Sequence, residues 1–304
     1  MLLWLLLACT SGGKDPAGDD TDVVDDTDAA DDTDAADDTD VVDDTDPVGP
    51  ERVDATLGAW CAIPDRIGVV ELSTDSGPDP YLTAVIRDRR DPWITAAAQT
   101  TATCAFHTFD TNGCGRCDPG QVCDPSGACV DAPRAHKDLE VELTAGGASQ
   151  TLAGDAVTGL AYGAVTVGDG GSIALVVRYG EVEIHVPAMS PPAEPLVAEV
   201  ETEGDYDAPG ALRARWTPLG DGSVVGTFIA INHHAGGPTF TECRVDGAAG
   251  SFSATAPMIN PLAVSTGLEF QGVDHYQYAA AQTRAGCVDV RFGARVYVQP
   301  VPAN

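Results

Sequence analysis

ALRARWTPLGDGSVVGTFIAI, residues 211–231, decides the fold class. In its first third Leu212, Ala214 and Trp216 alternate with Arg213, Arg215 and Thr217. That period of two puts apolar side chains on one face of a strand and polar ones on the other, so a sheet with one buried and one wet face is predicted. SVVGTFIAI at 223–231 is rich in β-branched residues and reads as the next strand. Asp221-Gly222 immediately ahead of it is a strong hairpin signal and predicts direct pairing of the two strands.

The same pattern recurs outward from this stretch. LEVEL (139–143), IALVVRYGEVEIHV (173–186), LVAEVE (196–201) and VDVRFGARVYV (288–298) alternate or are β-branched, as do IGVVEL (67–72) and YLTAVIR (81–87). The Ala/Thr-rich 93–106 is read as strand too. No stretch of ten or more residues carries a helical apolar stripe. Many short strands at regular spacing predict a mainly β fold over residues 51–304, an antiparallel β-sandwich.

The formal charge is −31 over 304 residues, and residues 15–50 hold sixteen Asp with no basic residue. With Lys14 set aside, −16 remains on residues 51–304, so the folded part is acidic as well. Nucleic-acid binding requires Lys and Arg to displace counterions from phosphates, and Lys14 and Lys137 are the only lysines. Nucleic acid is excluded as a partner on this ground.

From Asp19 the chain repeats DDTDVV, DDTDAA, DDTDAA, DDTDVV and DDTDPV, beginning at residues 19, 25, 31, 37 and 43. Mutual repulsion and low hydrophobicity predict an extended, disordered, solvated linker over 9–50. About 40 residues could reach on the order of 140 Å fully extended. A calcium loop also needs a Gly for its turn and a bidentate Glu, and neither occurs between Asp19 and Asp46. The expectation is a stalk with only loose calcium association along the Asp tract, and no other cofactor.

The chain opens MLLWLLLACTSGGKD, with apolar residues from Leu2 to Ala8 ahead of Cys9. Seven such residues cannot span a bilayer, which takes roughly 20. Leu6-Leu7-Ala8-Cys9 resembles the lipobox of bacterial lipoproteins. The resemblance implies removal of residues 1–8 as a signal peptide, a diacylglycerol thioether on Cys9, and acylation of the new amino terminus by a fatty acid such as palmitate. Two or more chains hold a protein stably in a membrane. No Lys or Arg precedes Cys9, which predicts an earlier start codon. In enterobacterial lipoproteins an Asp after the lipidated Cys favours the inner membrane; Thr10 stands there, so the resemblance implies the outer membrane or cell surface.

Setting Cys9 aside leaves Cys61, Cys104, Cys114, Cys117, Cys123, Cys129, Cys243 and Cys287. An even number in an exported chain predicts four disulfides, with Cys243–Cys287 preferred because both border strand-like segments far from the others. Between 104 and 131 the cysteines are dense and every gap holds Gly or Pro, predicting a cross-linked knuckle inserted in the β-body. It is similar to small EGF-like modules. Cys114 and Cys117 form a C-x2-C half-site for zinc, but Cys123 and Cys129 are spaced five apart rather than two, and export favours disulfides over metal. Linker, knuckle and β-body together resemble uncharacterised bacterial surface lipoproteins with Asp- or Thr-rich stalks, a class that brings no activity with it.

INHHAGGPTFTEC (231–243) is the one local concentration of titratable groups. His233 and His234, adjacent on an extended chain, point to opposite faces. One of them with Glu242, His275 or His185 is a candidate ligand or metal site, and Tyr276 and Tyr278 share a face that could present an aromatic platform to a sugar. No G-x-S-x-G, H-E-x-x-H, P-loop or dinucleotide motif is present. The expectation is a membrane-anchored structural or binding module, facing a surface protein or carbohydrate. The alternative is a hydrolase or metal-dependent enzyme with its site near His233 and His234.

Overall fold

The computed structural model describes residues 49–75, 80–94, 97–108, 114, 117–166, 171–193, 195–205, 207–231, 239–263 and 267–303. Cys9, the Asp repeats, His233 and His234 lie outside the described residues. Residues Gly49–Asn304 form one compact unit.

In chain order the strands are Glu51–Asp54 (β1), Thr56–Leu57 (β2), Arg66–Ser73 (β3), Tyr81–Ile86 (β4), Gln99–Thr100 (β5), Cys104–His107 (β6) and Gln121–Cys123 (β7). Then come Cys129–Asp131 (β8), Glu140–Ala145 (β9), Ala148–Ala153 (β10), Ala161–Ala164 (β11), Ile173–Tyr179 (β12), Val182–Met189 (β13) and Ala198–Thr202 (β14). The last are Leu212–Trp216 (β15), Val224–Ala230 (β16), Phe240–Asp246 (β17), Ser251–Ala254 (β18), Val273–Gln282 (β19), Cys287–Val296 (β20) and Val301–Pro302 (β21).

The long sheet runs β11-β4-β3-β20-β19-β16-β17-β6-β5, with β2 added beside β19. A second sheet runs β1-β13-β12-β9-β10, a third β18-β15-β14-β21, and β7 pairs with β8 alone. Most pairings are antiparallel, as expected, but β1–β13, β3–β20 and β14–β21 are parallel.

Residues opposite one another in a ladder share a face, and this fixes the layering. One hydrophobic core joins Val141, Val177 and Ile184 of the second sheet to Val70, Leu82, Ala279 and Val290 of the long sheet. The other joins Leu212, Ala214 and Phe252 of the third sheet to Phe106, Val225, Cys243 and Val273. Val273 and Ala279 are both odd-numbered positions of β19, so both cores rest on the same face of the long sheet. The result is two sandwiches side by side on one shared floor. Each fully buried Val or Leu contributes about 1.5–3 kcal/mol.

The expected alternation of 211–217 is realised: Leu212, Ala214 and Trp216 are buried while Arg213 and Arg215 are exposed. The expected hairpin is not. β15 and β16 belong to different sheets, and the chain turns at Gly222 (φ 71°) to pass from one layer to the other. Seven residues separate the two strands, too many for the two-residue loop that would pair them. The real hairpin lies inside 173–186, which splits at Gly180 (φ 51°) into β12 and β13. Among the described residues of 93–106, strand is confined to β5 and the start of β6.

The eight cysteines form four disulfides: Cys61–Cys287, Cys104–Cys243, Cys114–Cys123 and Cys117–Cys129. The expected Cys243–Cys287 bond is therefore wrong. β16 and β19 stand between β17 and β20, a separation of roughly 14 Å at one strand spacing per step, whereas a disulfide needs Cα atoms within about 7 Å. Cys104 sits directly opposite Cys243 in the β6–β17 ladder, with Cα atoms 4.0 Å apart. Cys104 is thus a residue of the long sheet, and the knuckle proper is the β7–β8 hairpin with Cys114 and Cys117.

Candidate functional site

The outer face of the long sheet, opposite the two cores, carries most of the buried charge. Even positions of β19 place Asp274, Tyr276 and Tyr278 there, and odd positions of β20 add Asp289, Arg291 and Arg295. Glu71 lies opposite Arg291 on β3, and Glu242 with Arg244 completes the row from β17. Arg66, at the start of β3, reaches in beside them.

These side chains form a continuous network. Asp289, only 1 % exposed, ion-pairs with Arg66 Nε at 2.9 Å and accepts from Arg244 Nη1 at 3.2 Å on one oxygen, while the Cys61 amide donates to the other at 2.7 Å. Glu242 accepts from Arg66 Nη2 at 3.1 Å and from Arg244 Nη2. Arg291 Nη2 meets Glu71 at 2.7 Å, the Tyr276 hydroxyl donates to the same carboxylate at 2.8 Å, and Arg295 Nε meets Asp274 at 2.6 Å. Arg244 lies over the Tyr278 ring, 5.1 Å from its centroid, and Arg291 over Tyr276 at 5.2 Å. Four guanidinium groups face four carboxylates, so the network is neutral.

Its electrostatics follow from that balance. Burial pushes the Glu242 and Glu71 carboxyls up, but Arg244 and Arg66 on the first and Arg291 on the second outweigh it, and both end below the usual carboxylate range. Burial raises the Tyr276 and Tyr278 phenols, with Glu71 adding to the effect on Tyr276. Arg244 and Arg291 are held charged, burial notwithstanding, by Glu242 and Glu71. Their guanidinium partners make Glu71 and Glu242 weaker bases than free carboxylates, and burial makes Tyr276 and Tyr278 weaker acids than free phenols. This network holds strands together. A cavity of about 10 Å³ among Thr227, Glu242, Arg244, Asp274, Tyr278 and Arg291 has room for about one water molecule.

The candidate residues divide between the two faces. Glu242 and Tyr276 share the outer face, linked through Arg244, Tyr278 and Arg291. His275, their neighbour in sequence, points the other way and its Nε2 lies 2.9 Å from Ser223 Oγ. There it borders a groove of about 360 Å³ at the seam between the two sandwiches, along with Thr74, Pro191, Pro192, Leu196 and Val296. His185 is on β13 of the second sheet, paired with Glu183. Tyr276 and Tyr278 do share a face, but both are buried. Tyr81, half-buried, and Tyr162, 58 % exposed, form a partly exposed aromatic pair with ring centroids 6.4 Å apart.

Sequence reading passed over Arg66, Arg244, Asp289 and Arg291. The available signal was VDVRFGARV at 288–296, where Asp289, Arg291 and Arg295 all fall on one face of an otherwise apolar strand, the first two opposite in charge at i and i+2. No family model matches the chain and no curated relative matches it.

Proposed function

We propose that this chain is an exported, lipid-anchored surface module that binds or supports a partner through a rigid β-scaffold held off the membrane by its acidic stalk. The observation that carries the reading is the arrangement of the disulfides. Cys61–Cys287 and Cys104–Cys243 span 226 and 139 residues and are buried at the long sheet, so they are part of the folded scaffold rather than ornaments on it. Such bonds form and persist in oxidising compartments. Cys9 in its lipobox-like setting supplies the anchor in this reading, and Tyr162, exposed beside the half-buried Tyr81, supplies an aromatic contact of the kind recognition uses.

Replacing Cys9 by Ser and fractionating the cells tests the anchor. The native chain should follow the membrane fraction and the variant the soluble fraction. A variant that stayed with the membrane would overturn the lipoprotein reading. Mapping the untreated, exported chain without reduction tests the compartment: eight oxidised cysteines are expected, and free thiols at Cys61 or Cys243 would contradict export into an oxidising space.

A further inference from the structure

The four disulfides fall into two physical classes. Cys61, Cys104, Cys243 and Cys287 are all buried, between 0 and 6 % exposed, inside or against the long sheet. Cys114, Cys117 and Cys123 are half-exposed and Cys129 is exposed. Thiol–disulfide exchange needs an attacking thiolate to reach a sulfur, so access sets which bonds open first. The two knuckle bonds present that access and the two sheet bonds do not.

The knuckle also gathers its sulfurs. Cys123 and Cys129 are directly opposite in the β7–β8 ladder and therefore share one face of that hairpin. Cys114 bonds to the first and Cys117 to the second, which brings both to that face. As a consequence the Sγ atoms of Cys114, Cys117 and Cys129 lie within 4.8 Å of one another although they belong to two different disulfides. A tetrahedral zinc tetrathiolate, with Zn–S of about 2.3 Å, requires sulfurs about 3.8 Å apart. Once reduced, the sulfurs of each former disulfide separate from about 2 Å to that spacing, Cys114 closes by up to about an ångström on Cys117 and Cys129, and Cys123 joins from its place opposite Cys129 in the ladder. The hairpin that carries two of them is braced independently of the disulfides: Asp124 Oδ1 accepts from the Ser126 and Ala128 amides at 2.9 and 3.0 Å across its turn. Asp118 and Asp124 directly follow Cys117 and Cys123 in the chain, and Asp131 ends β8.

We propose that the knuckle is a redox-gated soft-metal site: opening Cys114–Cys123 and Cys117–Cys129 frees four thiols that hold one Zn²⁺ as thiolates. Each disulfide takes two electrons and two protons from an external dithiol, which leaves as its own disulfide. The four thiols then release their protons to solvent as the metal binds. In the oxidised state the sulfurs are bonded in pairs and no thiolate is available, so metal occupancy reports the redox state around the β-body. The inference rests on the knuckle geometry and not on the lipid anchor.

The test uses the whole folded protein. Dithiothreitol is applied without denaturant and removed anaerobically, then one aliquot is alkylated and mapped and another is titrated with Co²⁺. Four alkylated cysteines are expected, at 114, 117, 123 and 129, with both sheet disulfides intact. Co²⁺ should saturate at one equivalent with the intense visible bands and sulfur charge-transfer absorption of a tetrahedral tetrathiolate, and equimolar Zn²⁺ should displace it. The double variant Cys123→Ser/Cys129→Ser should lose the spectrum while the melting of the β-body persists. A reduced wild-type protein that gives no tetrahedral Co²⁺ spectrum, or one whose sheet disulfides open at the same rate as the knuckle bonds, would overturn the proposal. Mapping of the untreated chain judges the export reading separately, because it precedes any reductant or metal.

Discussion

Asp289→Asn is the sharpest probe of the outer-face network, because Asn keeps the shape and a carbonyl for the Cys61 amide while deleting one charge. In the native protein Asp289 is 1 % exposed and faces Arg66 at 2.9 Å and Arg244 at 3.2 Å. Without its charge, two guanidiniums converge on Glu242 alone and the neutral network acquires a buried excess of one positive charge. Breaking a buried ion pair by removing one partner costs about 3–5 kcal/mol, most of it the penalty of the charge left behind. For a β-body of this size, 1 kcal/mol moves the melting temperature by about 2–4 °C, so a drop of roughly 6–20 °C is expected. Urea unfolding followed by circular dichroism, with disulfides intact, measures it; the midpoint should fall without a change of slope. The control is Glu203→Gln, whose partner Arg213 is about half-exposed like itself, and which should cost less than about 1 kcal/mol. Adding Arg66→Gln to Asp289→Asn restores neutrality, and the double variant should recover more than about 1 kcal/mol relative to additivity. Equal small losses at Asp289 and Glu203, with additive double variants, would refute the view that these buried charges depend on one another.

The lowered pKa values of Glu71 and Glu242 mean that the folded state holds fewer protons than the unfolded state in acid. Their stabilisation is complete above the unfolded value of 4.5 and is lost as pH falls through the folded values, so melting should be flat down to about pH 4.5 and drop below it. Glu71→Gln should lessen that drop, as read from melting against pH. At the alkaline end the raised phenols of Tyr276 and Tyr278 predict the converse. Stability holds below the unfolded tyrosine value of 10.0 and declines as pH rises above it, while ultraviolet titration should show both phenols ionising late or only on unfolding. Gly293 pairs with Tyr276, and a Cβ there would collide with the His275 carbonyl and lie 2.8 Å from the Tyr276 Cα. Gly293→Ala should therefore cost about 1–3 kcal/mol in urea unfolding by overpacking, whereas Gly220→Ala, with open space at its Cβ, should be near neutral.

The candidate site was only half legible in the sequence. Tyr276 and Tyr278 could be placed on one face because side-chain direction follows from strand period alone. Whether that face was open or closed could not, because it depends on Glu71, Arg244 and Arg291, the first of them 205 residues from Tyr276 in the chain. His275 and Tyr276, both candidates, are adjacent on a strand, and that adjacency sends them to opposite layers. Arg66, Asp289 and Arg244 went unremarked because each looks like an ordinary surface charge until register brings the three together.

By itself the sequence determined the β class, the one-sided strands and the oxidised cysteines, since these follow from local periodicity, composition and cysteine parity. Leu212, Ala214 and Trp216 are buried because a period-two pattern needs only a sheet, any sheet, to satisfy it. Tertiary structure alone decided which sheet. Asp221-Gly222 turns the chain as its residues dictate, but whether the next strand pairs with the last or crosses to another layer depends on which apolar faces remain to be covered. Cysteine partners depend on strand order in the same way: Cys243 meets Cys104 and Cys287 meets Cys61 because β6 lies beside β17 and Cys61 lies against the end of β20. Neighbour choice is a competition among non-local contacts, and no window of sequence contains both partners.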